Sequence, residues 1–362
     1  MTNRVISRIL TKYGVEFEQI LAPQKGYRNT GYPIVLKSGE WANLILYKRE
    51  PRILSKILGA NRVSNYVAQH GLPARQTLSP KIIRLSVSER VIYGSLYNYL
   101  PGETIPWEAY TRRHIKLLGK TMSDLHAILA NAGGLADTDI IAEYEAVLAR
   151  MHRYFSDPPV QSAMKQKLNL LLPPQKLQRL RRLLEFSREL PDQQTLHMDF
   201  VRGNILFEGH GDTLEIPGIL DFEKTAHGPK IFDIARTLAF LLVDCKYVPE
   251  EKVRKYFLNS GYEKYGMSSL HDAFEEIAFD LSRDRHPFRV QRSEHILVSG
   301  VGSRKGQRLF LQILEELVSL FLIHDFYKFL RHNPYEYLEQ NEHFVRTRNL
   351  LLKRQRLQLS GQ

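Results

Sequence analysis

The stretch from Leu196 to Phe222, LHMDFVRGNILFEGHGDTLEIPGILDF, constrains this chain more than any other. It places His197, Asp199 and Asn204 in a short loop flanked by apolar residues. It then crosses a turn-rich segment to a second strand-like run, Pro217 to Leu220, that ends at Asp221.

These residue types suit one chemistry. Moving a γ-phosphoryl group needs a hard divalent cation on the phosphate oxygens, and Mg²⁺ takes oxygen ligands from carboxylates and carboxamides. Asp221 and Asn204 are the candidate metal ligands. A second carboxylate must orient the acceptor hydroxyl and take its proton as the new P–O bond forms, and Asp199 is the candidate base. His197 precedes it by two residues on a tight loop, where hydrogen bonding to the backbone is the expected role.

The spacing resembles the aminoglycoside phosphotransferase and choline-kinase-like family, the small-molecule branch of the protein-kinase fold. Its H-x-D-x-x-x-x-N loop, I-D-F/W-E strand end and D-[LI]-A tripeptide correspond here to His197-Met198-Asp199 through Asn204, Leu220-Asp221-Phe222-Glu223 and Asp233-Ile234-Ala235. Each pattern alone is weak, because Asp and Asn are common in turns. Three in order are far more specific. The resemblance implies an α+β, bilobal protein-kinase-like fold, with a small β-rich N-terminal lobe over residues 1–99 and a large, mostly helical lobe over 100–362. It also implies ATP or GTP as phosphate donor, Mg²⁺, and catalytic roles for Asp199 and Asn204. Asp233 is expected to brace the catalytic loop, beside the simpler reading of a helix N-cap.

Composition agrees with a globular chain: 43% hydrophobic, 25% charged, 362 residues, enough for a large core and two lobes. Cys245 is the only cysteine, which excludes an intrachain disulfide and fits a reducing compartment. The first twenty residues lack a signal-peptide core, and the apolar runs Leu238 to Val243 and Leu317 to Ile323 are too short to span a bilayer, so a cytoplasmic protein is expected. The net charge of +12 raises the question of nucleic acid. The basic residues are spread along the chain without an aromatic-interleaved motif, so a solvated basic surface is the expectation, whose field favours anionic ligands such as a nucleotide.

Taken in order, residues 1–20 read as a helix closed by Gly14. The cluster Gln24 to Tyr32 occupies the place of the family's phosphate-covering loop, where Gly26 lets backbone N–H groups approach phosphates; a plain hairpin turn fits the same residues. The apolar strand Trp41 to Tyr47 leads into Lys48-Arg49, and the resemblance puts the lysine that contacts the α- and β-phosphates at Lys48, with Arg49 as rival. Pro51 to Gln69 reads as a helix. In the family it carries a glutamate that pairs with the lysine, but no Asp or Glu occurs between Pro51 and Ser88, and Glu50 is the nearest acid. Two strands, 81–87 and 90–99, run into Tyr97-Asn98-Tyr99-Leu100-Pro101-Gly102, which resembles the hinge that holds the nucleotide base; Tyr97 and Tyr99 are its candidate contacts. Helices are expected over 111–129 (with His126 a core or capping residue), 140–155, 161–190, 249–281 and 306–332, and the basic tail after Glu342 reads as a solvated helix.

The function expected is Mg²⁺-dependent transfer of phosphate from a nucleoside triphosphate to a hydroxyl of a small molecule. The missing helix glutamate leaves a second expectation, a nucleotide-binding pseudokinase serving as scaffold or regulator. Between Arg283 and Arg308 stand seven basic residues against two acidic, which favours a neutral or anionic acceptor, such as a sugar, a nucleoside or a phosphorylated metabolite, over a polycation. The same segment is a solvated basic loop if it has no ligand.

Overall fold

The computed structural model describes residues 3–26, 29–48, 50–87, 90–190, 192–266, 274, 304–333 and 335–360. In chain order its main elements are α1 (Asn3–Tyr13), β1 (Phe17–Ile20), β2 (Gln24–Lys25), β3 (Asn29–Leu36), β4 (Trp41–Tyr47), α2 (Ile53–Gln69), β5 (Ile83–Val87) and β6 (Arg90–Asn98). Then follow α3 (Arg112–Leu129), α4 (Ile140–Phe155), α5 (Pro158–Leu168), α6 (Pro174–Phe186), β7 (Gln193–Leu196), β8 (Ile205–Glu208), β9 (Glu215–Ile219), β10 (Ala226–Pro229) and α7 (Ile231–Asp244). The protein is α+β, as expected, with a β-rich and a helical unit. These interleave in the sequence: one is Met1–Ile105 with Gly203–Thr225, the other Pro106–Arg202 with Ala226–Gln362. A contiguous division at residue 99 would leave the segment bearing Asn204 and Asp221 with the helical part; its contacts lie with the first unit.

The first unit is built on an antiparallel sheet in the order β1-β3-β4-β6-β5, with β2 also on β3. Side chains alternate across a strand, so the apolar residues of β4 serve two cores. Ala42, Leu44 and Leu46 meet Ile6, Ile9 and Leu10 of α1 on one face, while Ile45 and Tyr47 meet Ile53 and Ile57 of α2 on the other. The hairpin β8–β9 joins this unit through backbone bonds between Glu103 and Phe207 and from Ile219 N–H to the Pro73 carbonyl at 2.8 Å. Gly102 is required there: its φ is +86°, and a Cβ would fall 2.8 Å from the Phe207 carbonyl oxygen.

The second unit is helical. A Thr111–His114 capping box starts α3. Gly119, on α3, lets a π-helical turn, Lys255–Tyr262, approach so closely that a Cβ would lie 2.3 Å from the Phe257 carbonyl oxygen. Helix α7 has every residue but Phe240 buried, and Arg304–His332 packs along it.

Three expectations change. The N-terminal helix ends at Tyr13, where Gly14 takes φ +70°, and the chain turns into strand β1 by Phe17. The helix expected over 161–190 is two, because Pro173-Pro174 cannot continue α5 and Asn169 turns left-handed at its end. The tail helix Glu342–Ser360 is packed rather than solvated: Phe344, Thr347, Leu350 and Leu351 are buried, and Arg346 donates to the carbonyls of Leu242, Val243 and Lys246 at the end of α7. The helix expected over 249–281 opens with Glu250–Arg254, and most of what lies beyond 266 falls outside the described residues, as does nearly all of the basic stretch from Arg283 to Arg308. Among the described residues no helix is long and apolar enough to cross a membrane.

Candidate active site

In the helical unit, β7 pairs antiparallel with β10 and delivers the chain to His197. The loop that follows is fixed by one carboxylate. Asp233 Oδ2 accepts the His197 N–H at 2.8 Å and Oδ1 accepts the Met198 N–H at 3.0 Å. Met198 has φ +59°, a conformation unfavourable for a long side chain, so these bonds hold the backbone where it would not settle alone. His126 approaches the same carboxylate through Nε2 at 3.3 Å, while its Nδ1 lies 2.7 Å from the Tyr262 hydroxyl. Burial would push the Asp233 carboxyl up, but the hydrogen bond and coulombic attraction of His126, together with the His197 backbone N–H, hold it below its ordinary value. Asp233 is the third residue of α7, behind Lys230 at the cap position, so it does not cap its own helix. It braces the loop. His126 is a buried core histidine, as expected.

His197 is fully buried, and its Nδ1 accepts the Asp199 N–H at 3.1 Å. A backbone amide can only donate, so Nδ1 is unprotonated and a neutral ring carries its proton on Nε2. The histidine shapes the loop and leaves Asp199 as the carboxylate of this segment. Asp199 is 7% exposed. Arg236 Nη2 stands 3.7 Å from its Oδ1, with Nη1 donating to the Tyr144 hydroxyl at 2.7 Å. Burial lowers the Arg236 pKa, but Tyr144 and the acids Asp199, Asp325 and Asp233 outweigh it and the shift is upward, so this buried arginine stays charged.

In the β-rich unit, Asn204 immediately precedes β8 and its carbonyl accepts the Leu220 N–H at 2.8 Å. The hairpin thereby ties the backbone of Asn204 to that of the residue before Asp221. Asp221 has φ +56°, tolerable for Asp because a short polar side chain can bond locally; here Oδ1 accepts the Glu223 N–H at 3.3 Å. Glu223 accepts from Asn29 Nδ2 of β3 at 2.7 Å, so the strand after the glycine-bearing turn is bonded to the segment after Asp221. Gly26 closes that turn, donating its N–H to the Asn29 carbonyl at 3.0 Å.

The remaining expected contacts are placed less simply. Lys48 follows the end of β4, exposed, and among the described residues it has no hydrogen bond or ion pair. Strand alternation assigns it to the face opposite Tyr47. Its rival Arg49 lies outside the described residues. Glu50, the nearest acid, pairs with Lys56 at 3.0 Å. Tyr97 is 2% exposed: its hydroxyl donates to Asn61 Oδ1 of α2 at 2.7 Å and receives the Tyr47 hydroxyl at 2.7 Å. Its side chain is therefore part of the interior, and its backbone is paired opposite Asn43 of β4. The Tyr99 ring packs on Trp41 with centroids 5.0 Å apart. The neutral chain Tyr47–Tyr97–Asn61 joins strand β4 to helix α2. Alternation along NLILYK contained that signal, since Tyr47 shares a face with Ile45. No local pattern pointed to Arg236 or to the Asn29–Glu223 bond.

The comparisons bear on the family and the fold. The model of the phosphotransferase enzyme family (APH) matches residues 20–263. An amicoumacin kinase, solved with AMP-PNP, Ca²⁺ and Ami, is 15% identical with a TM-score of 0.64, covering 98% of this chain and 96% of that one. A microcompartment-associated aminopropanol kinase is 11% identical with a TM-score of 0.56, covering 90% and 98%. A GDP complex of an aminoglycoside 2'-phosphotransferase is 10% identical with a TM-score of 0.52, covering 99% and 98%. At such identities these structures speak for the fold. No curated protein matches the chain.

Proposed function

The chain belongs to the phosphotransferase enzyme family, and from that premise we propose that it transfers the γ-phosphoryl group of ATP or GTP to a hydroxyl of a small molecule. The observation that carries this reading is the double anchoring of the His197–Met198 backbone by Asp233, which fixes Asp199 on a strained loop. A base must be held in position to accept a proton from a hydroxyl, and little else is asked of the protein beyond positioning and charge stabilisation.

Asp199 orients the acceptor hydroxyl and accepts its proton. Asp221 and Asn204 offer a carboxylate and a carboxamide, hard oxygen donors that fit Mg²⁺; these two residues would hold the ion, whose bound charge offsets that of the phosphates. Gly26 gives the β2–β3 turn room to lie over the phosphates, and the backbone at Tyr99, past the last β4–β6 pair, offers hydrogen bonds to the base. The acceptor is proposed to be neutral or anionic, on the strength of the basic composition between Arg283 and Arg308. Incubating the protein with Mg²⁺, ATP or GTP and a panel of hydroxylated metabolites and antibiotics, and following mass by spectrometry, tests the reading. One small molecule gaining the mass of one phosphate supports it; nucleotide binding without any transfer across a broad panel favours a pseudokinase. That second reading draws on Lys48, which has no acidic partner among the described residues, and on α2, which carries no acid.

A further inference from the structure

The α2-facing side of the sheet carries buried hydroxyls and an amide but receives no cation from β4. The residue after Tyr47 is Lys48, exposed and assigned by alternation to the other face. A different segment brings positive charge to this face. After α2, residues 73–75 run as a short rung beside β9: Ile219 donates to the Pro73 carbonyl at 2.8 Å, Arg75 N–H donates to the Ile219 carbonyl at 3.3 Å, and Ala74 bridges Ile219 in parallel. Two residues beyond Ile219 stands Asp221. The Arg75 backbone is thus fastened to the strand that delivers the candidate metal ligand.

Its side chain is also held. The guanidinium carbon lies 5.3 Å from the centroid of the Tyr97 ring, within cation–π range, and that ring is itself fixed by hydrogen bonds to Tyr47 and Asn61. Arg75 is half-buried, and among the described residues no carboxylate pairs with it. The charge reaches the surrounding hydroxyls: burial drives the Tyr47 phenol well up, Arg75 opposes that rise, and Glu223, bonded to Asn29, adds to it. Arg75 and Glu223 therefore act on the same buried hydroxyl, on the side of the sheet that receives the segment after Asp221.

A guanidinium over the face of a fixed ring still has N–H donors to offer an oxyanion, and its fork matches phosphate oxygens better than an ammonium does. We propose that Arg75 is the cation that binds the α- and β-phosphate oxygens of the nucleotide, the role expected of Lys48; this rests on the kinase reading. The Tyr47–Tyr97–Asn61 chain then supports an arginine through a ring face in place of a glutamate supporting a lysine. That arrangement explains how α2 can lack an acid without leaving the phosphates uncontacted.

Calorimetric titration of the full chain with adenosine, AMP, ADP and AMP-PNP, and with the guanosine series, in Mg²⁺ tests it. Arg75→Met keeps an apolar stem on the ring and removes the charge. It is expected to weaken diphosphate and triphosphate binding by about tenfold to a hundredfold, the worth of one or two charge-assisted hydrogen bonds, with nucleoside affinity within about twofold. Arg75→Lys should fall between Arg75→Met and wild type, and Lys48→Met should lose less than Arg75→Met. Wild-type diphosphate affinity in Arg75→Met together with a loss in Lys48→Met overturns the assignment and leaves the kinase reading standing. Parallel loss of nucleoside and diphosphate binding in both Arg75 variants makes the arginine a support for Tyr97 and also overturns it. A wild-type protein that binds none of these ligands overturns both.

Discussion

Asp233 shows how much one carboxylate can organise. It accepts two consecutive backbone N–H groups and meets His126 in a fully buried setting, so removing it strands two donors that water cannot reach. Asp233→Ala is expected to lower unfolding free energy by roughly 3–5 kcal/mol, and Asp233→Asn, which keeps one acceptor oxygen, by less. The effect has a pH signature. The folded-state pKa is depressed, so the stability gained from the ionised carboxylate is complete above the ordinary value of about 3.9 and is lost as pH falls through the lower folded value. Urea unfolding stepped down from neutral pH should show an acid-side loss in wild type that Asp233→Asn lacks; the same slope in both proteins would place the titration elsewhere. Cys245 offers a second residue-level check. Burial first, then the charge of Asp244, pushes its thiol up to about 12 at 1% exposure, so Ellman's reagent at pH 8 should find no reactive thiol in the native protein and one per chain in urea.

Among the elements, those with strong periodicity and clear stops were legible: α2, α3, α4 and the pair β5 and β6 fall where apolar spacing and turn residues put them. The discrepancies have local causes. A β-strand four residues long at Phe17 has too few positions to declare a period, and Pro173-Pro174 ends one helix and starts another where the apolar pattern runs straight through. The tail helix was misjudged because its basic count hid a buried stripe through Phe344 and Leu351. Within the candidate site, the residues on short motifs were legible while their supports were not, because Asn29, Arg75 and Arg236 gain their positions from pairings that no local spacing encodes. Gly119 gives an element-scale test. A Cβ there meets the backbone of Phe257, Gly261 and Tyr262 at 2.3 to 2.9 Å, which only a shift of α3 from the π-helical turn can relieve. Gly119→Ala should cost roughly 1–3 kcal/mol or more by denaturant midpoint, against a change within about 0.5 kcal/mol for Gly133→Ala, whose Cβ meets nothing. Equal midpoints for the two would remove the close-packing account.

At the scale of the whole molecule, the division of labour follows from the interleaved chain. Asp199 belongs to the helical unit, and Asn204 and Asp221 belong to the β-rich one, although only four residues separate Asp199 from Asn204. The candidate base is anchored by α7 through Asp233, and the candidate metal ligands by a hairpin bonded to residues 73–75 and 103. Base and metal ligands can therefore be impaired separately, and this bears on the central claim that Asp199 is the base for transfer to a small-molecule hydroxyl. The most direct measurement uses γ-labelled nucleotide with Mg²⁺ and the acceptor found by mass spectrometry, comparing wild type with Asp199→Asn in both transfer rate and nucleotide affinity. Label is expected in an acid-stable phosphate ester of the acceptor, with a rate about a hundredfold or more lower in Asp199→Asn and nucleotide affinity within about twofold. Transfer at the wild-type rate by Asp199→Asn would contradict it.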